Sequence, residues 1–455
     1  MGIGLEKTWG TLNRRDFLTA STLVAAGTAL GPARLLAAEA PRQAFKVGEP
    51  MLHQPAPHTM AVGWGVSGLA YGAVEVSESA DFARPRRFVC SKGCGVPVAD
   101  DVALTVLLTD LKPDTAYRYR TVTTPILSYP NAYRIKVGAP VVGAVRTFRT
   151  PGESGVSRIA VINDTHMRWT PFERVTDKVR ELKPAFCVWN GDATNSSETK
   201  TEAARAFYGP EVARRDYAAE IPYAFVYGNH DLRGKFAPHL SELVMDRAPS
   251  EREARDFPLG HSFAIRQGQL AVIGLDTGED KTDDHPQMYG HATYDAYRQA
   301  QADWLARTLR RPDIASAPFV VVCCHIPLFD PRPNAYQGTP RDFRASDGHY
   351  FGANWSPASA RAWGPILSRH GVQLVVAAHE HRYRYDAPTA TRPWAQVVGG
   401  GPYPEENVRD FPTVIECAVE TGQLVVRVHD VWNRRLAGSF SFAPRPSSSS
   451  AFSGV

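Results

Sequence analysis

The sequence predicts two folded parts: a small all-β sandwich over residues 43–150, then a larger layered α+β domain over residues 156–440. Three observations predict this. Apolar residues recur with period two in the first part, and apolar strand-like runs alternate with helical segments in the second. The runs of the second part also end repeatedly in carboxylate, amide and imidazole side chains.

In the first part, "MAVGWGV" puts Met60, Val62, Trp64 and Val66 on one face, and "VALTVLL" does the same with Val102, Leu104, Val106 and Leu108. Turn residues separate these runs and no helical period interrupts them, as in a β-sandwich. The stretch "LTDLKPDTAYRYR" carries Leu111, Pro113, Thr115 and Tyr117 in an L-x-P-x-T-x-Y pattern that resembles the corner of fibronectin type III domains. That resemblance implies that the Tyr117 hydroxyl anchors the corner while Tyr119 continues the buried face. A spacer or shield is the expected role, in preference to carbohydrate binding.

After "TPGESG", Thr150 to Gly155, the pattern changes. "RIAVIN", "AFCVWN", "YAFVY", "QLAVIGL", "FVVVCC" and "VQLVVAA" read as buried strands. "PFERVTDKVREL" spaces Phe172, Val175, Val179 and Leu182 along one helical face, and further helices are expected at "YRQAQADWLARTL" and "SARAWGPILSRH". The Ser-rich end, residues 441–455, reads as a disordered tail.

The first forty residues read as an export signal. Arg14 and Arg15 precede a moderately apolar stretch from Phe17 to about Leu30, and small residues follow at Ala38 and Ala40. Arg14, Arg15, Asp16, Phe17 and Leu18 match R-R-x-F-L, which is similar to a twin-arginine (Tat) signal and implies a periplasmic or extracellular location. A plain Sec signal or a membrane anchor is the competing reading, although the apolar run is short for a span, and no later stretch is long and apolar enough to cross a bilayer.

Composition bounds the function classes. The chain has 455 residues, 43% hydrophobic and 22% charged, which fits a globular protein large enough for two domains. The net charge of +4 falls to +3 without residues 1–40, because that segment holds four basic and three acidic side chains. Such a balance gives no footprint for a nucleic-acid polymer. Of six cysteines only Cys90 and Cys94 are close, in "CSKGC"; a disulfide there is permitted but not fixed by spacing. Cys187, Cys323, Cys324 and Cys417 lie in apolar runs as expected of inert buried thiols, and no paired C-x-x-C zinc spacing occurs.

The chemistry is concentrated at five strand ends. "RIAVIN" is followed by Asp164-Thr165-His166, "AFCVWN" by Gly191-Asp192, "YAFVY" by Gly228-Asn229-His230-Asp231, "FVVVCC" by His325, and "VQLVVAA" by His379 and His381. Ligands of open α/β sheets bind beyond the carboxyl ends of strands, so the five ends can share one crevice. Asp164, His166, Asp192, Asn229, His325, His379 and His381 offer seven donors, more than one ion uses while keeping a position for water. Two ions about 3.5–4 Å apart, sharing a bridging carboxylate, accommodate them.

The order D-x-H, G-D, G-N-H-D, H and x-H-x-H is similar to that of calcineurin-like metallophosphoesterases, over most of residues 157–435. The resemblance implies an αββα layered sandwich. It also implies that Asp164, His166 and His381 hold one metal, that Asn229, His325 and His379 hold the other, and that Asp192 bridges. His230 then contacts the phosphate and assists the leaving group, with Asp231 orienting it. Asn229 and His230 would thus both meet substrate. Two departures stand out. Ala378 replaces the glycine usual in G-H-x-H, for which a tight but workable turn is expected. Purple acid phosphatases share the fibronectin-plus-phosphoesterase layout but carry D-x-G and G-D-x-x-Y, where this chain has His166 and Asn195. A purple tyrosinate–iron centre is therefore not expected.

The implied activity is hydrolysis of a small phosphate mono- or diester by in-line attack of a metal-bound hydroxide, with Fe, Mn or Zn equally compatible with the donors. A nucleotidase or cyclic-nucleotide phosphodiesterase of the same superfamily is the alternative, and a catalytically inactive envelope binding protein the third reading. The loop Asp330 to Trp355 is rich in aromatic and basic residues, among them Arg332, Tyr336, Arg341, Arg344 and Tyr350, and is expected to set specificity or to serve as a solvated crossover. Leu232 to Phe257 is a candidate second rim. His261, His285, His291, His349 and His370 are expected to be packed or solvated side chains.

Overall fold

The structure, a computed structural model, describes residues 44–92, 95–209, 216–244, 261–331, 355–404 and 410–446. The expected leader, Cys94, and the loop residues Arg332, Tyr336, Arg341, Arg344, His349 and Tyr350 lie outside the described residues. From Phe45 onward the chain forms a single contact unit.

Two mixed sheets face each other. One runs, in spatial order, Arg435–Phe442, Gln423–Asp430, Thr413–Glu420, Arg158–Ile162, Phe186–Asn190, Tyr223–Val226, Met51–His53, Met60–Gly65 and Ala103–Leu108. The other runs Phe263–Gln267, Leu270–Leu275, Phe319–Cys324, Leu374–Ala377, Ala395–Val398 and Arg384–Asp386. Ile159, Val161, Phe186 and Val188 from the first sheet meet Val272, Val321, Leu374 and Val376 from the second in a shared core. Each such buried aliphatic or aromatic side chain stabilises the fold by about 1.5–3 kcal/mol.

Helices cover the outer faces. Trp169–Leu182 packs Phe172, Val175 and Val179 onto the first sheet, with Leu182 at the margin of that cluster. Its end is set by Lys183, whose left-handed backbone directs its N–H to the Val179 carbonyl. Tyr294–Thr308 and Pro357–Arg369 bury Trp304, Leu305, Trp363 and Leu367 against the second sheet. The layers are therefore helix, sheet, sheet, helix.

The N-terminal strands lie in two layers. A long strand, Ala116–Ser128, pairs with Ala70–Ser77 and several short strands, and this layer packs on Met60–Gly65 and Ala103–Leu108. Met60, Val62, Trp64, Leu104, Val106 and Leu108 all face the shared core. The Tyr117 hydroxyl accepts the Lys112 N–H at 2.8 Å, which closes the corner, and the Tyr119 hydroxyl donates to the Ala219 carbonyl at 2.6 Å.

A feature the sequence does not show is that the first sheet continues through both parts. Met51–His53 pairs in parallel with the strand Tyr223–Val226, with Leu52 N–H on the Ala218 carbonyl and Gln54 N–H on the Tyr223 carbonyl. Met60–Gly65 is consequently buried on both faces, and the Tyr208 hydroxyl lies where a side chain on Gly63 would stand. At the other end, order persists beyond the expected start of the tail at residue 441. The strand Arg435–Phe442 is followed by Arg445, which donates to the carbonyls of Ile314, Ala317 and His370.

Candidate metal centre

The five strand ends meet. Strands Arg158–Ile162, Phe186–Asn190 and Tyr223–Val226 run parallel in one sheet, and Phe319–Cys324 and Leu374–Ala377 run parallel in the other, so their carboxyl ends open on one side. Asn190 ties the two sheets there. Its amide donates to the Cys324 carbonyl at 3.0 Å and the Val376 carbonyl at 3.2 Å, while its own carbonyl accepts from His325 Nδ1 at 2.9 Å.

Two ligand groups result. Asp164, His166, Asp192 and His381 form one; Asp192, His325 and His379 form the other, with the ligand atoms of each within 4.8 Å of one another. Asn229 joins the second, its Oδ1 at 3.0 Å from His379 Nδ1. Asp192 belongs to both. Its Oδ1 accepts the His230 N–H at 2.9 Å, and its Oδ2 lies 3.2 Å from His325 Nε2 and 3.4 Å from His166 Nε2. His166 Nε2 and His381 Nε2 converge to 3.0 Å.

The donors fit a cation. Asp164 Oδ1 and His325 Nε2 are buried and have no hydrogen-bond partner. Unpaired buried polar atoms are costly, and both point into the cluster, 3.8 Å apart. The electrostatics agree. Burial alone would lower the His325 pKa, but the facing Asp192 and Asp164 carboxylates raise it to about 10. Those carboxylates thus demand positive charge at His325 Nε2, and a metal ion there would displace the proton. Burial outweighs the same carboxylates at His166 and lowers its pKa.

The backbone is bent to aim these side chains. Asp164, His166, Asp192, His379 and His381 all have positive φ, between 44° and 70°. Such non-glycine geometry costs of order 1–3 kcal/mol per residue and persists only where surroundings enforce it. Here they do: Asp164 Oδ2 accepts from the Asn163 amide and from the His379 N–H, and His166 N–H bonds the Asp192 carbonyl. Ala378 has no such conformation; its N–H reaches the His325 carbonyl at 2.8 Å, so alanine fits where glycine was the familiar residue. Gly191, at φ +86°, has no such latitude, since a Cβ there would sit 2.2 Å from His325 Nδ1.

Asp231 is a correction. Its carboxylate does not contact the His230 ring. Oδ1 accepts from the Thr194 N–H and hydroxyl, each at 2.9 Å, and Oδ2 from the Gly228 N–H at 3.0 Å, which clamps the Asp192 loop to the Asn229 loop. Burial first, and then Asp192, push its pKa up to about 7. The ring of His230 is oriented instead by the Asn195 carbonyl, 2.8 Å from Nδ1. Asn195 also places its Oδ1 2.8 Å from His166 Nδ1. One residue therefore supports a ligand through its side chain and His230 through its backbone.

Other contributors were not legible in the strand-end pattern. Arg233 lies 3.1 Å from His230 Nε2 and is gripped by Glu279, which follows the strand Leu270–Leu275 in "LDTGED". The acidic end of that sixth apolar run was the available signal. Tyr403 stacks near His166 at 6.2 Å, and Arg168 lies over the Tyr403 ring, 4.6 Å from its centroid.

Residues 157–383 match the family model described as calcineurin-like phosphoesterase. The chain carries a calcineurin-like phosphoesterase domain and is, on that ground, a hydrolase of phosphoric ester bonds. Among solved structures, the purple acid phosphatase PPD1 from yellow lupin (Lupinus luteus) seeds is similar in fold: TM-score 0.60 at 13% identity, covering 87% of this chain and 74% of that one. Looser similarities are to GAP50, the anchor in the inner membrane complex of Plasmodium (TM-score 0.42, 11% identity, 65% and 91% covered), and to TT1561 of Thermus thermophilus (TM-score 0.34, 12% identity, 64% and 100% covered). No curated protein sequence matches the chain.

Proposed function

We propose that the protein is an exported phosphoesterase that holds two metal ions and hydrolyses a small phosphate ester without a covalent enzyme intermediate. The observation that carries this reading is the pair of ligand groups sharing Asp192. Asp164, His166 and His381 would hold one ion, and Asn229, His325 and His379 the other. Bound there, a metal pair supplies an activated water near neutral pH and neutralises charge on the phosphoryl group. Fe, Mn and Zn all suit the donors.

The chain's own residues supply the rest. His230 stands beside His166, rings 4.9 Å apart, with Nδ1 held by the Asn195 carbonyl and Nε2 3.1 Å from Arg233 Nη1. From there it hydrogen-bonds the phosphate and serves the departing oxygen. Asn229, next to it, places its amide within both substrate and ligand reach. Export rests on the Arg14–Arg15 leader, and among the described residues no helix is long and apolar enough to cross a membrane. The N-terminal sandwich reads as fibronectin type III-like on the strength of its Tyr117 corner.

A nucleotide substrate is the second reading, favoured by Tyr403, an aromatic ring 6.2 Å from the His166 ring and 5.6 Å from the His381 ring. The test is turnover of p-nitrophenyl phosphate and bis-p-nitrophenyl phosphate by the metal-loaded protein. His230→Ala should lose about 10²- to 10⁴-fold in kcat, and Asp192→Asn should lose metal as well as activity. Full turnover in either metal-loaded variant defeats the assignment.

A further inference from the structure

Arg233 is more tightly built than a rim arginine. Its Nε and Nη2 bond Glu279 Oε2 and Oε1 at 2.9 and 2.6 Å, a two-pronged grip by a carboxylate only 5% exposed, and Nη2 also reaches Asp280 at 3.2 Å. Planar pairing of this kind fixes the guanidinium in direction as well as position. Glu279 is itself held. Its backbone carbonyl accepts from Arg298 Nη2 at 2.9 Å, and Arg298 Nε bonds the Thr277 carbonyl at 2.9 Å. Lys281 balances the acidic pair, 2.6 Å from Asp280 and 3.4 Å from Glu279.

That grip leaves Nη1 for His230, 3.1 Å from its Nε2. Because the Asn195 carbonyl can only accept, His230 Nδ1 carries a hydrogen, and Nε2 takes the Arg233 N–H in the neutral ring. Nη1 carries two hydrogens, so an oxygen that enters beside the ring is within reach of the one that Nε2 does not take. A phosphate monoester presents three terminal oxygens, each able to take a charge-assisted hydrogen bond; a diester presents two, and its remaining oxygens carry substituents.

We propose that Arg233, locked by Glu279, contacts a terminal phosphoryl oxygen beside His230 and thereby biases the site toward phosphate monoesters over diesters. This rests on the phosphoesterase reading above and names its substrate class. Arg233→Gln removes the contact, and the double variant Arg233→Gln/Glu279→Gln removes it without leaving the buried carboxylate unpaired. Loss of one charge-assisted bond corresponds to about 10- to 100-fold.

The experiment measures kcat/KM for p-nitrophenyl phosphate and bis-p-nitrophenyl phosphate, and inorganic phosphate binding to the metal-loaded protein by calorimetry. The expected result is about a 10- to 100-fold loss for the monoester and for inorganic phosphate and a clearly smaller loss for the diester, with metal content and thermal melting matching the wild type to show that the variants fold. Equal losses for both esters mean a merely structural role and overturn the proposal, as do unchanged values. Should the wild type turn over neither ester, the phosphoesterase reading fails separately, and phosphate binding decides this one. Weaker binding in both variants upholds the anion contact; equal binding, or none in the wild type, refutes it.

Discussion

Replacing Asn195 by alanine should weaken one metal site and spare the other. The side-chain Oδ1 accepts from His166 Nδ1 at 2.8 Å, and His166 is only 3% exposed. A buried N–H left without its partner costs about 1–3 kcal/mol, or about 5- to 150-fold in an equilibrium. Asn195 itself is exposed, so water can enter the space it leaves and recover part of that loss. The expected effect is thus near the lower end, about tenfold in affinity, as is usual when a ligand histidine loses its orienting partner. It should fall on the ion held with Asp164, His166 and His381, since His166 belongs to that group alone. His230 should be unaffected, because Asn195 holds it through the backbone carbonyl, which the substitution preserves. Asn195→Asp keeps the acceptor and adds charge, so it should match or exceed the wild type. The assay is metal content by elemental analysis after equilibration with graded chelator. Equal loss of both ions, or an unchanged affinity for both, would refute the division of ligands and the supporting role of Asn195 together.

Two further outcomes are expected. His381→Ala should chiefly empty the first site and His379→Ala the second, read by metal stoichiometry in the purified variants; loss of the same single ion in both would contradict the assignment. His53, fully buried where the two parts of the first sheet meet, has its pKa lowered to about 3 by burial, against 6.5 unfolded. A depressed histidine binds its proton in the unfolded chain first, so its contribution is complete above pH 6.5 and is lost as pH falls toward 3. Between pH 7 and pH 5 the wild type should lose about 2 kcal/mol that His53→Gln does not; parallel urea-unfolding curves at the two pH values would rule this out.

Much of the candidate centre is written in the sequence because each candidate ligand follows an apolar run closely. Val161 and Ile162 announce a buried strand, and Asp164 stands just beyond it; the same holds for Val188 and Asp192, Cys324 and His325, and Ala377 and His379. Contacts between residues far apart in the chain leave no such trace. Arg233 and Glu279 are paired across 46 residues, and Asn190 reaches Cys324 and Val376 in the opposite sheet. Asp231 shows the opposite failure. Adjacency to His230 invited a dyad, yet at neighbouring positions the two side chains diverge, and the carboxylate turns inward to Thr194 and Gly228. The extension of the first sheet into the N-terminal strands was equally hidden, because period two fixes which face is apolar but not which strand lies alongside.

That continuous sheet bears on how the protein can be divided. The strand Met51–His53 covers one flank of Tyr223–Val226, three residues before Asn229. A chain beginning near residue 156 would bare that flank as an open strand edge, lined by unpaired N–H and C=O groups and flanked by the apolar surface that Tyr119 and Leu52 now occupy. Exposed edges of this kind template pairing with other chains. The N-terminal strands are in this sense a guard against aggregation for the very strand that delivers Asn229 and His230, and the remaining chain should be insoluble when expressed without them.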